Sequence, residues 1–161
     1  MGKQPVQHPP HTPRIVNRKA RHHFHVLEVV ECGLELLGSE VKSLRAGSMQ
    51  IDDAYARFRG SQVFLVGSTI APYAQASSLQ HSPTRDRKLL LHRRQIALLT
   101  AHVAQKGRTL VPLVVYFKRG WAKCELGLAV GKRAYDKRQT LRQRDQQREI
   151  DREMRRRRRA E

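Results

Sequence analysis

An excess of positive charge is the feature that most constrains what this chain of 161 residues can fold into. The chain carries 32 Lys and Arg against 14 Asp and Glu, a formal net charge of +18 at pH 7. Self-repulsion on that scale opposes a compact state. A polyphosphate backbone offsets it, because each cation that meets a phosphate releases a condensed counterion. An anionic membrane surface is the rival partner. The charge therefore predicts a nucleic-acid-binding protein, and the length predicts one domain.

The basic side chains are concentrated towards the two ends of the chain. Residues 1–25 carry five basic and no acidic side chains, whereas residues 26–130 hold nearly all of the apolar content. Residues 131–161 hold thirteen basic and six acidic side chains, with too few apolar ones to bury a core of their own. Opposite charges recur there at helical spacing, as for Asp145 with Arg148. We therefore expect a flexible basic arm at 1–15, an RNA-binding body at 16–131 and a tail at 132–161 that is disordered when free and helical on a polyanion.

The body is predicted to fold mostly as short strands. Gly33 separates two β-rich runs, residues 24–31 and 34–37. Pro112 lies inside another run, residues 109–118, which predicts an edge position or a bulge because proline cannot donate to a neighbouring strand.

Two glycine-containing turns between strand-like runs predict β-hairpins. Arg59-Gly60-Ser61 joins residues 54–58 to 62–66, and Arg119-Gly120 joins residues 109–118 to 121–130. Two segments are predicted to be helical. Ser39 is the expected N-cap of the first, with Glu40 in its first turn.

The second predicted helix spans residues 94–105 and ends before Gly107, with one apolar stripe formed by Ile96, Leu99 and Val103. Many short strands with two or three short helices predict a mostly β fold. The expected architecture is a small OB-like antiparallel barrel that carries a basic, conditionally helical C-terminal tail.

Metal sites, membrane spans and catalytic motifs are not predicted. Cys32 and Cys124 lie far apart, with no CxxC motif and no histidine at zinc-ligand spacing, so we expect reduced thiols in a cytoplasmic protein without cofactors. Residues 1–11 lack the apolar segment of a secretory signal, and no window of about 18 apolar residues occurs. Paired-carboxylate, GxSxG and phosphate-loop motifs are absent, so we expect a binding protein rather than an enzyme.

Four sequence blocks, in order, resemble the SsrA-binding protein family, SmpB. They are NRKARH at 17–22, GSEVKSLRAG at 38–47, RKLLLH at 87–92 and DKR at 136–138. The resemblance covers about residues 14–150. It implies a bacterial protein that binds transfer-messenger RNA (tmRNA) and brings it to ribosomes stalled on broken messages. It also implies an OB-like barrel whose C-terminal tail becomes helical in the empty mRNA channel.

The resemblance implies a first set of site residues that contact the tRNA-like end of tmRNA. Phosphates repel a carboxylate, so Glu31 is expected to read a base edge or an amino donor, or to orient a nearby cation. A solvated strand glutamate is the alternative. Leu91 is expected to offer an apolar surface to an unstacked base, with core packing as the alternative. The set is Asn17, Arg18, Lys19, Glu31, Leu91 and Lys123.

A second implied set lies near the ribosomal decoding centre and in the mRNA channel. The rings of His22 and Tyr135 are expected to stack on splayed bases, with a solvated histidine cluster as the alternative for His22. Gly131 is the hinge candidate between barrel and tail. Asp136 is expected to orient a neighbouring cation or to cap the tail helix. The set is His22, Gly131, Lys132, Arg133, Tyr135, Asp136, Lys137 and Arg138.

The partners implied are tmRNA, the small ribosomal subunit and a translation elongation GTPase during delivery, with the protein a monomer on its RNA and no membrane involved. Val130 stands where the family usually has lysine, and the five arginines at 155–159 are expected to add non-specific affinity. Two rival functions remain open. One is a structural ribosomal protein or assembly factor; the other is a nuclease or RNA-modifying enzyme that uses the N-terminal histidines.

Overall fold

The computed structural model describes residues 13–73 and 80–132. Nine strands and three helices make up this part of the chain. The strands are β1 (Ile15–Val16), β2 (Phe24–Leu34), β3 (Met49–Gln50), β4 (Tyr55–Arg59), β5 (Gln62–Val66), β6 (Thr69–Ile70), β7 (Arg87–Leu90), β8 (Arg108–Lys118) and β9 (Trp121–Gly131). The helices are α1 (Arg18–His23), α2 (Gly38–Arg45) and α3 (Arg93–Val103).

Six of the strands pair antiparallel in a ring. In the order β8, β4, β5, β7, β2, β9, each strand is hydrogen-bonded to the next, and β9 pairs back with β8. β1 adds to β8 outside the ring, and β3 pairs with β6 in a separate two-stranded sheet. This arrangement confirms the predicted mostly β fold and is consistent with an OB-like barrel. The predicted helical tail lies outside the described residues.

Both predicted hairpins are present. β4 and β5 join at Gly60, which has a φ of 57°, and β8 and β9 join at Arg119 and Gly120, with φ of 52° and 81°. The two successive positive φ values at Arg119 and Gly120 are the geometry of the type I′ turn, whose twist matches that of the strands it connects. The chemistry of the turn residues therefore determined these two pairings locally.

The prediction that Gly33 ends a strand is wrong, because β2 continues through it to Leu34. Gly33 pairs with Leu90 on one side and with Lys123 on the other. A Cβ on Gly33 would lie 3.1 Å from the Leu90 Cβ, so glycine is needed for close packing rather than for a turn. The bulge predicted at Pro112 is confirmed, since the β8–β9 register shifts between Pro112 and Val114.

Helix α2 begins at Gly38 with Leu37 as its N-cap, so the assignment of Ser39 as N-cap is wrong. The Ser39 hydroxyl lies 2.9 Å from Nδ1 of His81, and Glu40 instead accepts a hydrogen bond from the Leu37 backbone N–H at 2.8 Å. Helix α3 confirms the second predicted helix over most of its length. Its stripe faces the core: Leu99 is buried, and Ile96 and Val103 pack against the barrel interior.

Helix α1 was not predicted, and it gives part of the expected basic end a defined structure. It covers a small second core outside the ring, formed by Ala20, Val111, Leu113, Val114 and Ala129. The main core fills the barrel interior with alternate side chains of the ring strands, such as Leu34, Leu65 and Leu126. Each strand of the ring therefore has an inner apolar face and an outer face that is available for other contacts.

Candidate nucleic-acid interface

The outer face of β2, β9 and β8 carries a group of side chains that meet across three adjacent strands. Cys32 and Cys124 are buried opposite each other inside the barrel. Since side chains alternate along a strand, Glu31 and Lys123 face outward. Lys123 is paired with Tyr116 of β8, so the outward side chains of the three strands form one continuous surface.

Glu31 is at the centre of this group. Its carboxylate accepts hydrogen bonds from the Tyr116 hydroxyl at 2.5 Å and from Nζ of Lys118 at 2.8 Å. Nζ of Lys123 lies 4.0 Å from the same carboxylate. We call these four residues the Glu31 cluster. Two cations share one anion in this cluster, which therefore keeps a formal charge of +1.

The bonds within the Glu31 cluster favour the ionised carboxylate. The hydrogen bond from Lys118, followed by that from Tyr116, holds the pKa of Glu31 below its usual value. Burial and the bond to Glu31 raise the pKa of Tyr116, so the phenol keeps its proton and donates it to the carboxylate. Glu31 is therefore a fixed anion that positions three longer side chains.

The arrangement suits contact with an RNA backbone. The side chains of Lys118 and Lys123 remain 52% and 31% exposed, and an ammonium group has three donors, so each lysine can bond a phosphate while it stays paired with Glu31. Of the roles predicted for Glu31, the geometry supports the orientation of nearby cations. The order it imposes lowers the entropy lost when the lysines bind.

Leu91 lies beside this surface rather than in it. It is half-buried and packs against the barrel core, whereas Leu90 is 49% exposed and sits across Gly33 from Lys123. Leu91 also lines an open groove of about 490 Å³ between β7 and the start of α3, together with Ser61, Gln62, Lys88, Leu89, Leu90, His92, Arg93 and Ile96. An apolar floor with cations at its rim is compatible with a base contact, which stays a prediction.

Asn17 is buried, and its polar atoms are bonded within the protein. Its Oδ1 accepts from the Ala20 N–H at 2.8 Å, and its Nδ2 donates to the carbonyls of Ile51 and Pro112 at 2.8 and 3.0 Å. In this conformation Asn17 therefore offers no side-chain group to RNA. It caps α1 and fixes that helix on the barrel.

The basic side chains of α1 point away from the core that the helix covers. Arg18 is exposed, and Lys19 forms a 3.3 Å surface ion pair with Asp53, whose side chain is 83% exposed. Such a pair contributes little to stability and is easily exchanged for a phosphate. Arg18 and Lys19 thus remain candidate RNA contacts on an element separate from the Glu31 cluster.

The start of the tail is attached to the C-terminal end of α1. The Lys132 N–H donates to the His23 carbonyl at 2.9 Å, and its Nζ donates to the Arg21 carbonyl at 2.9 Å. A cation there also interacts favourably with the helix dipole. His22 is half-buried, with its ring centroid 5.1 Å from that of His23 in an edge-on arrangement.

Gly131 is the last residue of β9 and is exposed, and a Cβ there would meet nothing within 4 Å. Its role as a hinge stays a prediction. The remaining members of the second set lie outside the described residues: Arg133, Tyr135, Asp136, Lys137 and Arg138.

Sequence reasoning missed Tyr116 and Lys118, although a signal for them was present. A two-residue turn at Arg119-Gly120 pairs Lys118 with Trp121 and Tyr116 with Lys123. Counting outward from the turn therefore places both residues on the face of Lys123. The contact of Lys118 with Glu31 had no such signal, because it depends on the pairing of β2 with β9.

Two further features concern the described residues only. Between residues 13 and 73 and between 80 and 132, no helix is long and apolar enough to cross a membrane. The same two ranges contain no group of three or more His, Cys, Asp or Glu side chains placed to hold a metal ion.

Comparison with known proteins gives consistent matches over most of the chain. The family model described as SmpB protein matches residues 14–156. The SsrA-binding protein of Acetivibrio thermocellus is 51% identical over 138 residues, which is 86% of this chain and 90% of the relative. That of Salinispora arenicola is 52% identical over 136 residues, 84% of this chain and 86% of the relative.

A solved structure extends the match to three dimensions. A chain in the work described as "tmRNA-SmpB: a journey to the center of the bacterial ribosome" is 49% identical, with a TM-score of 0.64. The alignment covers 76% of this chain and 86% of that one. The residues matched by the family model include the barrel, α1 and the Glu31 cluster. This chain belongs to the SmpB protein family.

Proposed function

We propose that this chain binds tmRNA and brings it to stalled ribosomes for their rescue. The observation that carries the proposal is the Glu31 cluster, an exposed cationic surface on a barrel in a chain that matches SsrA-binding proteins over most of its length. Binding, rather than turnover of RNA, is the activity proposed. Its place of action is the ribosome, in the cytoplasm.

The barrel is the part proposed to recognise tmRNA. Lys118 and Lys123 are held by Glu31, and Arg18 and Lys19 lie on α1, so cations are presented both from the sheet and from a helix packed on it. Phosphate contacts of this kind set the register of a protein on its RNA. With a net charge of +18, binding should weaken steeply as the salt concentration rises.

The C-terminal tail is the part proposed to serve the ribosome. Residues 131–161 hold thirteen basic and six acidic side chains, a composition that favours ordering against phosphates over folding alone. A helix of about 20 residues spans some 30 Å, enough to extend into an mRNA channel free of message. The tail would then sense missing mRNA near the decoding centre, with a translation elongation GTPase assisting delivery.

The test separates these two parts. Glu31→Ala and Lys123→Ala should weaken tmRNA binding about ten- to hundredfold in a gel-shift titration at fixed salt, with the fold intact. Truncation before Asp136 should leave that affinity nearly unchanged but abolish tagging on stalled ribosomes in reconstituted translation.

Glu28→Ala is the matched control, since it removes an exposed glutamate from the same strand. Both glutamate variants raise the net charge by one, which by itself strengthens RNA binding. A loss of tmRNA affinity in Glu31→Ala but not in Glu28→Ala therefore reports the order that Glu31 imposes on the lysines. Equal affinities for Glu31→Ala, Lys123→Ala and the wild type would refute the assignment of this face. A truncated protein that still supports tagging would refute the role of the tail.

A further inference from the structure

Trp121 is an exposed aromatic side chain that the proposed function has not used. It is the one tryptophan of the chain and is 74% exposed, more than any other large apolar side chain in the described part. Tryptophan is usually largely buried, because removing its large apolar ring from water is favourable. A ring left in water at a defined position indicates a surface that a partner covers.

The position of Trp121 is well defined. It is the first residue of β9, directly after the type I′ turn at Arg119 and Gly120, and it pairs with Lys118 of β8. It precedes Lys123 by two residues, so both side chains lie on the same outer face, about 7 Å apart along the strand. The indole ring therefore borders the Glu31 cluster.

We infer that Trp121 is a stacking surface for one nucleobase of the bound RNA that lies outside a base pair, while Lys118 and Lys123 hold the phosphates beside it. Aromatic rings flanked by cations are the recurring means of binding splayed bases, because every base has a π-face and a neighbouring phosphate. This inference rests on the proposed function and adds to it a contact that does not depend on charge.

The cations around the ring argue against other occupants. A second copy of this chain would place Lys118, Arg119 and Lys123 against the same residues of its partner, and like charges at such a contact repel. An apolar protein surface would cover the ammonium groups beside the ring and leave their spare donors, those not bonded to Glu31, without partners. An RNA nucleotide can stack its base on the ring and pair its phosphate with the lysines.

Titrations of wild type, Trp121→Ala and Trp121→Phe with tmRNA at several salt concentrations test the inference. Trp121→Ala should lose affinity about five- to hundredfold, and Trp121→Phe should recover most of it, since phenylalanine also stacks. The log–log salt slope of Trp121→Ala should equal that of the wild type, whereas Lys118→Ala should reduce the slope by about one. Leu98→Ala removes another exposed apolar side chain, 62% exposed on α3, and should change neither quantity.

The fluorescence of the same ring gives an independent readout. Because the chain has one tryptophan, any change in tryptophan emission on adding tmRNA to the wild-type protein belongs to Trp121, and stacking should quench that emission. Affinity of Trp121→Ala within twofold of the wild type would overturn the inference while leaving the proposed function in place. Fluorescence that responds to ribosomes but not to tmRNA would overturn it in favour of a ribosomal partner. A wild-type protein that does not bind tmRNA would instead refute the proposed function.

Discussion

Two glutamates of this protein, Glu31 and Glu40, each form ion pairs with two cations, but one site is on the surface and the other is in the core. The Glu31 side chain is 37% exposed and forms ion pairs with two lysines of the outer face, Lys118 at 2.8 Å and Lys123 at 4.0 Å. The Glu40 side chain is fully buried and bonds Nε of Arg85 at 2.7 Å and Nε of Arg87 at 3.0 Å. Similar chemistry thus occurs in two different dielectric environments.

The buried site is saturated by protein groups. Arg87 is also fully buried, and its remaining donors bond the carbonyls of Ser68, Pro83 and Arg85 at 2.9 Å each. Arginine suits such a site because its planar group has five donors in fixed directions and stays charged. The Glu40 site therefore joins α2, β7 and the segment before it, and leaves nothing for a ligand.

The Glu31 cluster differs from the Glu40 site because its lysines keep hydrogen-bond donors that no protein group in the described part of the chain uses. Its lysines are well hydrated, with donors to spare, and its ion pairs contribute little to stability. The comparison teaches that the burial of a charge cluster, more than its composition, separates a structural role from a binding role. Three measurements can sharpen or break this contrast.

Glu40→Gln should have the largest effect on stability. It leaves Arg87 as a buried charge without a counterion, and breaking a buried pair from one side typically costs about 3–5 kcal/mol. Urea unfolding followed by circular dichroism measures the change in the free energy of unfolding. A loss of less than about 1 kcal/mol would show that the buried network is dispensable.

Protonation of Glu40 in acid should lower the stability of the fold by an intermediate amount. Burial alone raises the pKa of Glu40, but the bonds from Arg85 and the Leu37 N–H, with the charge of Arg87, hold the net pKa below its usual value. A carboxyl whose folded pKa is lowered stabilises the fold above its unfolded pKa of about 4.3, and this contribution is lost as the pH falls through the folded value. Unfolding curves between about pH 6 and 3 should therefore show a steeper acid loss in the wild type than in Glu40→Gln. Parallel curves would contradict this assignment.

Glu31→Gln should have the smallest effect on stability, below about 1 kcal/mol, because solvent screens an exposed pair. The same urea experiment measures it, and Glu40→Gln provides the matched comparison of one chemical change at two depths. A loss as large as that of Glu40→Gln would remove the distinction between a structural and a binding cluster.

Some elements of the fold were predictable because their causes are local. The hairpin turns at Gly60 and at Arg119-Gly120, the bulge at Pro112 and the apolar stripe of α3 all follow from residues adjacent in sequence. Gly33 was misread, since glycine serves both turns and close packing, and only the approach of Leu90 distinguishes the two. Helix α1 was missed because its apolar content is one buried residue, Ala20, and its cap, Asn17, is fixed by distant carbonyls.

The sequence by itself determined the charge, the β-rich body, the two hairpins and the family to which this chain belongs. The tertiary structure decided which charges are buried and which are free for RNA. Lys118 and Glu31 are 87 residues apart in sequence, and Arg87 and Glu40 are 47 apart. A carboxylate meets such a partner only when distant strands pair and the ring of strands closes, because the depth of a side chain is a property of the whole barrel. Composition and spacing specify which residues can pair with a cation, and packing decides whether water also reaches them.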